Sequence, residues 1–112
     1  MENKKILVIG STGKLGSKLL NFCFKNKIYI NSITSYKNLQ KMNMQKEKYS
    51  IKKSFCLSLN KDFIKFNNFI KTNNFGIIYF LDYGSQTLEF MEIFLKINTN
   101  TIFAIANKEL LI

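Results

Sequence analysis

Apolar runs that are typical of buried strands alternate along this chain with segments whose apolar residues recur at helical spacing. The predicted strands are residues 4–9, 28–34, 51–59, 76–81 and 101–106. The predicted helices are residues 14–26, 38–47, 61–72 and 85–97. Strands that alternate with helices form a parallel sheet through right-handed crossovers. We therefore predict one α/β domain over residues 1–112, a doubly wound parallel sheet of about five strands with helices on both faces.

The first and last predicted helices are amphipathic. One broad apolar face of the first helix is formed by Leu15, Leu19, Leu20, Phe22, Cys23 and Phe24. In the last helix the residues expected to face inward are Leu88, Met91, Phe94 and Leu95, and those expected to face outward are Glu89 and Glu92. Ser85 can serve as the N-cap of that helix. We expect the final strand, residues 101–106, at or near an edge of the sheet.

A glycine-rich turn joins the first strand to the first helix, with the sequence Gly10-Ser11-Thr12-Gly13-Lys14-Leu15-Gly16. Gly10 allows a sharp turn, Gly13 keeps a Cβ away from an approaching phosphate, and Gly16 lets the helix pack close to the sheet. The helix N-terminus then offers free N–H groups to a pyrophosphate, and Thr12 adds a hydroxyl donor. A plain strand-to-helix turn is the alternative. The strand–turn–helix context favours a Rossmann-like dinucleotide site formed by these residues.

The end of the second strand indicates which nicotinamide cofactor is bound. NAD-specific domains usually carry an acidic residue there, which bonds the ribose hydroxyls. This chain instead has Ser35, Tyr36, Lys37 and Asn38. The serine, lysine and asparagine can hold a 2′-phosphate, which a carboxylate would repel, so we predict NADPH. The alternative is that Lys37 is simply one of many surface lysines.

The last strand is followed by Asn107, Lys108 and Glu109. Ligands of open α/β sheets bind at the carboxyl ends of strands, so these residues are expected beside the nicotinamide. Lys108 would supply positive charge for a phosphorylated or carbonyl substrate, and Asn107 could bond cofactor or substrate without adding charge. An N-cap followed by exposed charges is the alternative.

The net charge of +10 raises nucleic acid as a partner, but the pattern of charge does not favour it. All 17 basic residues are lysines, and they are scattered along the chain. Arginine is the preferred residue for bidentate contacts to bases and phosphates. A composition rich in Lys, Asn, Ile and Phe indicates an A+T-rich coding sequence, with the charge displayed on a solvated surface.

Cysteines and hydropathy limit the remaining classes of protein. Cys23 and Cys56 have no metal-ligand spacing, and we predict two reduced, buried thiols. No apolar run approaches the length of a membrane span, and the apolar stretch after Lys5 is too short for a signal peptide. We predict a cytoplasmic protein, or one inside an organelle.

Three motifs together resemble a known family: Gly-Ser-Thr-Gly-x-x-Gly at the start, Lys-Asn after the second strand and Ala-Asn-Lys-Glu after the last. The chain is similar to the N-terminal cofactor domain of 1-deoxy-D-xylulose 5-phosphate reductoisomerase. The resemblance implies an NADPH-dependent oxidoreductase that makes 2-C-methyl-D-erythritol 4-phosphate in the non-mevalonate isoprenoid pathway. It also implies a sugar phosphate substrate and, for the complete enzyme, a homodimer with a divalent metal, Mg²⁺ or Mn²⁺.

The resemblance assigns a ligand group to each motif. The residues that would meet the pyrophosphate and adjacent ribose are Thr12, Gly13, Lys14 and Leu15. Lys37 and Asn38 would meet the 2′-phosphate. Asn107 and Glu109 would lie at the nicotinamide side, and Lys108 would reach the substrate.

The chain departs from the family at several places. Tyr36 replaces a usual glycine, and residues 82–86 (Asp-Tyr-Gly-Ser-Gln) replace a stretch of small residues after the fourth strand. The family's acidic metal ligands and most of its substrate pocket follow the Asn-Lys-Glu motif, so we expect this chain alone to be half of an enzyme and inactive. The alternatives are the cofactor domain of a homoserine or semialdehyde dehydrogenase, and a basic non-catalytic module that binds nucleic acid.

Overall fold

Strands and helices alternate in the computed structural model, which describes residues 5–81, 89, 92, 93, 96 and 100–105. The strands are β1 (Ile6–Ile9), β2 (Ser32–Ser35), β3 (Lys53–Cys56), β4 (Ile77–Phe80) and β5 (Ile102–Ile105). The helices are α1 (Lys14–Lys25), α2 (Leu39–Lys48) and α3 (Asn60–Thr72). Every predicted strand and the first three predicted helices are therefore present, with ends that differ by a few residues from the prediction.

The five strands form one parallel sheet in the order β3-β2-β1-β4-β5. The predicted doubly wound α/β fold is confirmed. The sheet grows from β1 first toward β3 and then, after a crossover, toward β5, so the topological switch point lies between β1 and β4. Ligands of open parallel sheets bind at the carboxyl ends of the strands beside such a point. As predicted for the last strand, β5 lies at an edge of the described sheet.

Neighbouring residues of β1 enter two separate cores, because side chains alternate between the faces of a strand. Leu7 belongs to a cluster that includes Phe66 of α3. Val8 belongs to a second cluster with Leu20 of α1 and Met42 of α2. Two helices therefore cover one face of the sheet and α3 covers the other, as predicted. Each of these buried side chains contributes roughly 1.5–3 kcal/mol relative to an exposed one.

The second strand starts later than its apolar pattern predicts. Lys27, in the left-handed region with a φ of 59°, ends the turn after α1, and Ile28 N–H donates to Cys23 O at 2.8 Å. Ile28 and Tyr29 are exposed, and Ile30 is the first of the apolar residues here to be buried. The strand then begins at Ser32. The apolar triplet therefore marks a surface turn as well as the approach to a strand.

The buried face of α1 is narrower than predicted. Its buried residues are Gly16, Leu20 and Cys23, at the i, i+4, i+7 spacing of one stripe. Three predicted members of the face are exposed instead: Leu15, Phe22 and Phe24. This part of the prediction was wrong because the helix contacts the protein along one side only.

Most of the predicted helix over residues 85–97 lies outside the described residues. The four residues described there, Glu89, Glu92, Ile93 and Lys96, are helical. Glu89 and Glu92 are exposed, as predicted.

Candidate functional site

The start of the glycine-rich turn (residues 10–16) is fixed to β2 by backbone hydrogen bonds. Gly10 N–H and Ser11 N–H both donate to the carbonyl oxygen of Thr34, at 3.0 and 2.9 Å. Gly10 N also lies 3.3 Å from Thr34 Oγ1. These bonds continue the β1–β2 ladder, in which Ile9 pairs with Thr34. The turn therefore lies at the carboxyl edge of the sheet, directly beside the end of β2, and these N–H groups already have partners.

Two glycines of the turn are required by the backbone itself. Gly10 has a φ of 91°, in the left-handed region that favours glycine. A Cβ on Gly16 would overlap the carbonyl oxygen of Gly10 and lie 2.7 Å from Ser11 Cα. The close approach at Gly16 is thus to the turn itself and not, as the sequence predicts, to the sheet.

Gly13 is different, because its own surroundings do not require glycine. It is the N-cap of α1, with φ −71° and ψ 176°, a conformation open to any residue. A Cβ there would meet Gly10 O at 4.0 Å, an ordinary van der Waals distance. Gly13 is exposed, so a side chain at this position would occupy only the space in front of the turn.

The first turn of α1 has neither a side-chain cap nor an acidic residue. The first N–H groups of a helix lack intrahelical partners, and the helix dipole favours negative charge beside them. Lys14, exposed in this first turn, adds a positive charge there. In contrast, α2 is capped by Asn38, whose Oδ1 accepts from Lys41 N–H at 3.1 Å. The start of α1 is therefore the better place for a bound anion.

Ser11 was predicted to contact the cofactor, but its polar groups are bonded within the protein. The residue is fully buried, and its Oγ donates to Gln45 Oε1 at 2.8 Å. Its carbonyl oxygen accepts from Gln45 Nε2 at 2.9 Å. The turn residues left with accessible surface beside the start of α1 are Thr12, Gly13, Lys14 and Leu15.

Gln45 is a site residue that the sequence analysis missed. It belongs to α2 and is only 7% exposed. Its Nε2 also lies 3.4 Å from Ser17 Oγ, which in turn donates to Gly13 O at 2.8 Å. The one signal in the sequence is its spacing from Met42, three residues earlier, which places both on the buried side of α2.

The predicted 2′-phosphate group at the end of β2 divides into buried and accessible members. Ser35 is buried, and its Oγ has no hydrogen-bond partner among the described residues. Asn38 uses its Oδ1 to cap α2. Tyr36 is 45% exposed, and Lys37, also exposed, has its Nζ 5.9 Å from the Tyr36 ring centroid. Tyr36 and Lys37 are therefore the side chains best placed to receive a ligand here.

Other predicted site residues lie outside the described residues. These are Asn107, Lys108 and Glu109, and the altered loop over residues 82–86. The structure thus brings the glycine-rich turn and the end of β2 to one edge of the sheet, while the nicotinamide-side predictions remain predictions.

Two surface cavities of the described chain are lined by no residue of the glycine-rich turn. One of about 510 Å³ is lined by Ser17, Gln45 and Tyr49, among others, and another of about 470 Å³ by Phe24, Tyr29 and Tyr49. The first lies between α1 and α2, and the second lies between the end of α1, the segment that follows it and the residues after α2. A dinucleotide site of this fold is an open crevice at the sheet edge, completed by the loops after β1 and β4, so these cavities do not mark it.

The described residues contain no cluster of metal ligands and no membrane-spanning helix. No group of three or more His, Cys, Asp or Glu there could hold a metal ion, so the divalent metal implied by the resemblance has no fitting site in that part of the chain. None of the described helices has the length and hydrophobicity needed to cross a bilayer.

Burial raises the pKa of the Cys23 thiol.

Comparison with known proteins gives no family for this chain. No protein-family model matches it, and no curated protein matches it either. The reductoisomerase resemblance therefore stays a prediction from the sequence motifs.

Proposed function

We propose that the chain binds NADPH across the carboxyl ends of β1 and β2, as the cofactor domain of an NADPH-dependent oxidoreductase. The observation that carries the proposal is the uncapped first turn of α1, kept open by Gly13, beside a second strand that ends without an acidic residue. Anion binding at such a helix start is a general property of this arrangement.

The pyrophosphate would lie against the start of α1. The N–H groups of the first turn are directed out of the N-terminal end of the helix, toward that space, and have no acceptor within the helix. Thr12 can donate its hydroxyl, and Lys14 adds a positive charge. The backbone conformation of Gly13 does not require glycine, but a side chain there would fill the space of the pyrophosphate. The proposed ligand therefore explains the glycine at this position.

The 2′-phosphate would lie beyond the end of β2, near Tyr36 and Lys37. The 2′-phosphate of NADPH would accept a charge-assisted hydrogen bond from the lysine ammonium, and NADH has no 2′-phosphate. The exposed Tyr36 ring provides an apolar face for the adenine beside that ammonium. NAD-specific domains use a carboxylate at this position to bond the ribose hydroxyls, and this chain has none there.

The reaction we propose is that of 1-deoxy-D-xylulose 5-phosphate reductoisomerase, on the basis of the sequence motifs. The cofactor supplies a hydride to the aldehyde formed by isomerisation of the sugar phosphate. The strand order supports the predicted roles of Asn107, Lys108 and Glu109: they follow β5, which lies on the opposite side of β1 from β2. The nicotinamide end of a dinucleotide whose adenosine lies at β2 extends in that direction.

Titration calorimetry of the purified chain with NADPH and with NADH tests the binding proposal. We expect NADPH to bind more tightly. Tighter binding of NADH, or no binding of either dinucleotide, would contradict it. If the chain instead bound a mixed-sequence DNA or RNA with strong salt dependence, the basic-module alternative would be favoured.

A further inference from the structure

We propose that Gln45 is a positioning residue for the pyrophosphate turn: from α2, its side-chain amide orients the N–H groups that bind the cofactor. This inference rests on the proposed function. Gln45 itself would not contact the cofactor, because it is buried behind the turn. It acts through Ser11 and Ser17.

The first step is the reciprocal pair of hydrogen bonds between Gln45 and Ser11. Gln45 Nε2 donates to Ser11 O at 2.9 Å, and Ser11 Oγ donates to Gln45 Oε1 at 2.8 Å. Both bonds are buried, where competition from water is weak. Together they fix the side-chain amide and the Ser11 carbonyl relative to each other.

Fixing that carbonyl also fixes the next N–H group. The Ser11 C=O and the Thr12 N–H belong to one planar peptide unit, and the described peptide bonds are trans. In a trans peptide the C=O and N–H point in opposite directions. Because the Ser11 carbonyl points to Gln45 in the interior, the Thr12 N–H is directed away from the interior, toward the proposed pyrophosphate.

A second arm runs through Ser17. Gln45 Nε2 lies 3.4 Å from Ser17 Oγ, and Ser17 Oγ and N–H both donate to Gly13 O, at 2.8 and 2.9 Å. By the same peptide geometry, holding the Gly13 carbonyl directs the Lys14 N–H out of the helix start. Gln45 thus directs the Thr12 N–H through Ser11 and, through Ser17 Oγ, adds to the helical bond that already holds the Gly13 carbonyl.

The test replaces Gln45 and compares two ligands. Gln45→Met keeps the length of the side chain but removes its donor and acceptor. NADPH reports the pyrophosphate turn, and adenosine 2′-monophosphate, which has no pyrophosphate, reports the end of β2 alone. We expect the Kd for NADPH to rise about tenfold, the loss of a charge-assisted hydrogen bond, and the Kd for the monophosphate to stay within about twofold of wild type.

The matched control is Gln40→Met, the same substitution at an exposed position of the same helix. It should leave both Kd values unchanged. If Gln45→Met does not fold, Gln45→Asn serves in its place, because its neutral amide is one methylene shorter and no longer reaches Ser11 O. We expect the same selective loss of NADPH binding.

Two outcomes would overturn the inference alone: NADPH binding to the wild type and to both Gln45 variants with equal affinity, or an equal loss of both ligands, which indicates a purely structural role. If the wild type binds no NADPH, the proposed function fails and this inference fails with it. The wild-type titration therefore separates the two cases.

Discussion

Gly16 lies against the backbone of Gly10 so closely that a Cβ on Gly16 would overlap the Gly10 carbonyl oxygen. A Cβ on Gly13 would meet the same oxygen at 4.0 Å, an ordinary contact. The two glycines share one motif but differ in what they allow. Gly16 permits the turn to form, and Gly13 leaves space in front of the turn after it has formed.

Gly16→Ala should destabilise the folded protein. Alanine is favoured over glycine in a helix by about 1 kcal/mol, but the new methyl group must displace backbone atoms of the turn, which cannot move aside as a flexible side chain could. We expect a net loss of about 2 kcal/mol. Urea unfolding followed by far-UV circular dichroism measures it. Gly13→Ala is the control, and its loss should stay below about 1 kcal/mol.

Gly13→Val should leave the fold intact and abolish cofactor binding. The valine methyl groups would occupy the space that the pyrophosphate needs, while the φ and ψ of Gly13 are accessible to valine. Circular dichroism should match the wild type, and calorimetry with NADPH should show no binding. A folded variant that binds NADPH normally would mean that the glycine-rich sequence is only a turn.

Lys37→Glu should weaken NADPH binding selectively. The substitution removes the charge-assisted bond to the 2′-phosphate and adds repulsion, a loss of roughly 1–3 kcal/mol. NADH has no 2′-phosphate, so its affinity should change little. Fluorescence titration with both cofactors provides the comparison.

Lys65→Glu is the control for this charge reversal, since Lys65 is exposed on α3, across the sheet from α1 and α2. It makes the same change in net charge and should leave the preference for NADPH unaltered. Equal effects of the two substitutions would point to long-range charge, and Lys37 would lose its specific role.

Cys23 should make the protein less stable in alkali. Burial holds the pKa of this thiol above its ordinary value of 9.0 in the folded state. Above that ordinary value the unfolded chain is stabilised by releasing the proton. The folded chain keeps the proton until the pH passes its own higher pKa. The stability associated with the neutral thiol is therefore present below the unfolded pKa and declines as pH rises.

The measurement is the free energy of unfolding of the wild type and of Cys23→Val at about pH 8 and about pH 10. Valine fills a similar volume and does not ionise. The wild type should lose more stability over this interval than the variant. A parallel decline in both would assign the pH dependence to other groups.

The alternation of strands and helices could be predicted because strands covered on both faces have continuous apolar sequences, as Leu7 to Ile9 show. The same rule failed at Ile28 and Tyr29, whose apolar side chains lie on the surface. Helical spacing likewise placed Phe22 on the buried face of α1, although its side chain is 59% exposed. Composition alone does not distinguish an apolar residue in the core from one on the surface.

The site was predictable to the extent that it depends on local chain geometry. The strand, turn and helix around Gly10 follow from neighbouring residues. The hydrogen bonds between Ser11 and Gln45 could not be predicted in this way. They join residues 34 positions apart that only the packing of α2 brings together. The one local pattern is its three-residue spacing from Met42, which is a weak signal in a helix of mostly polar residues.

The paired hydrogen bonds from Gly10 and Ser11 to Thr34 have a consequence for the energetics of ligand association. A loop that is mobile before binding loses conformational entropy when a ligand orders it, and that loss weakens the complex. Here the beginning of the turn is ordered when the sheet forms, as an extension of the β1–β2 ladder. A dinucleotide would therefore meet a preorganised surface. The entropy cost of ordering the first residues of the turn would lower the free energy of unfolding and leave the binding affinity unaffected.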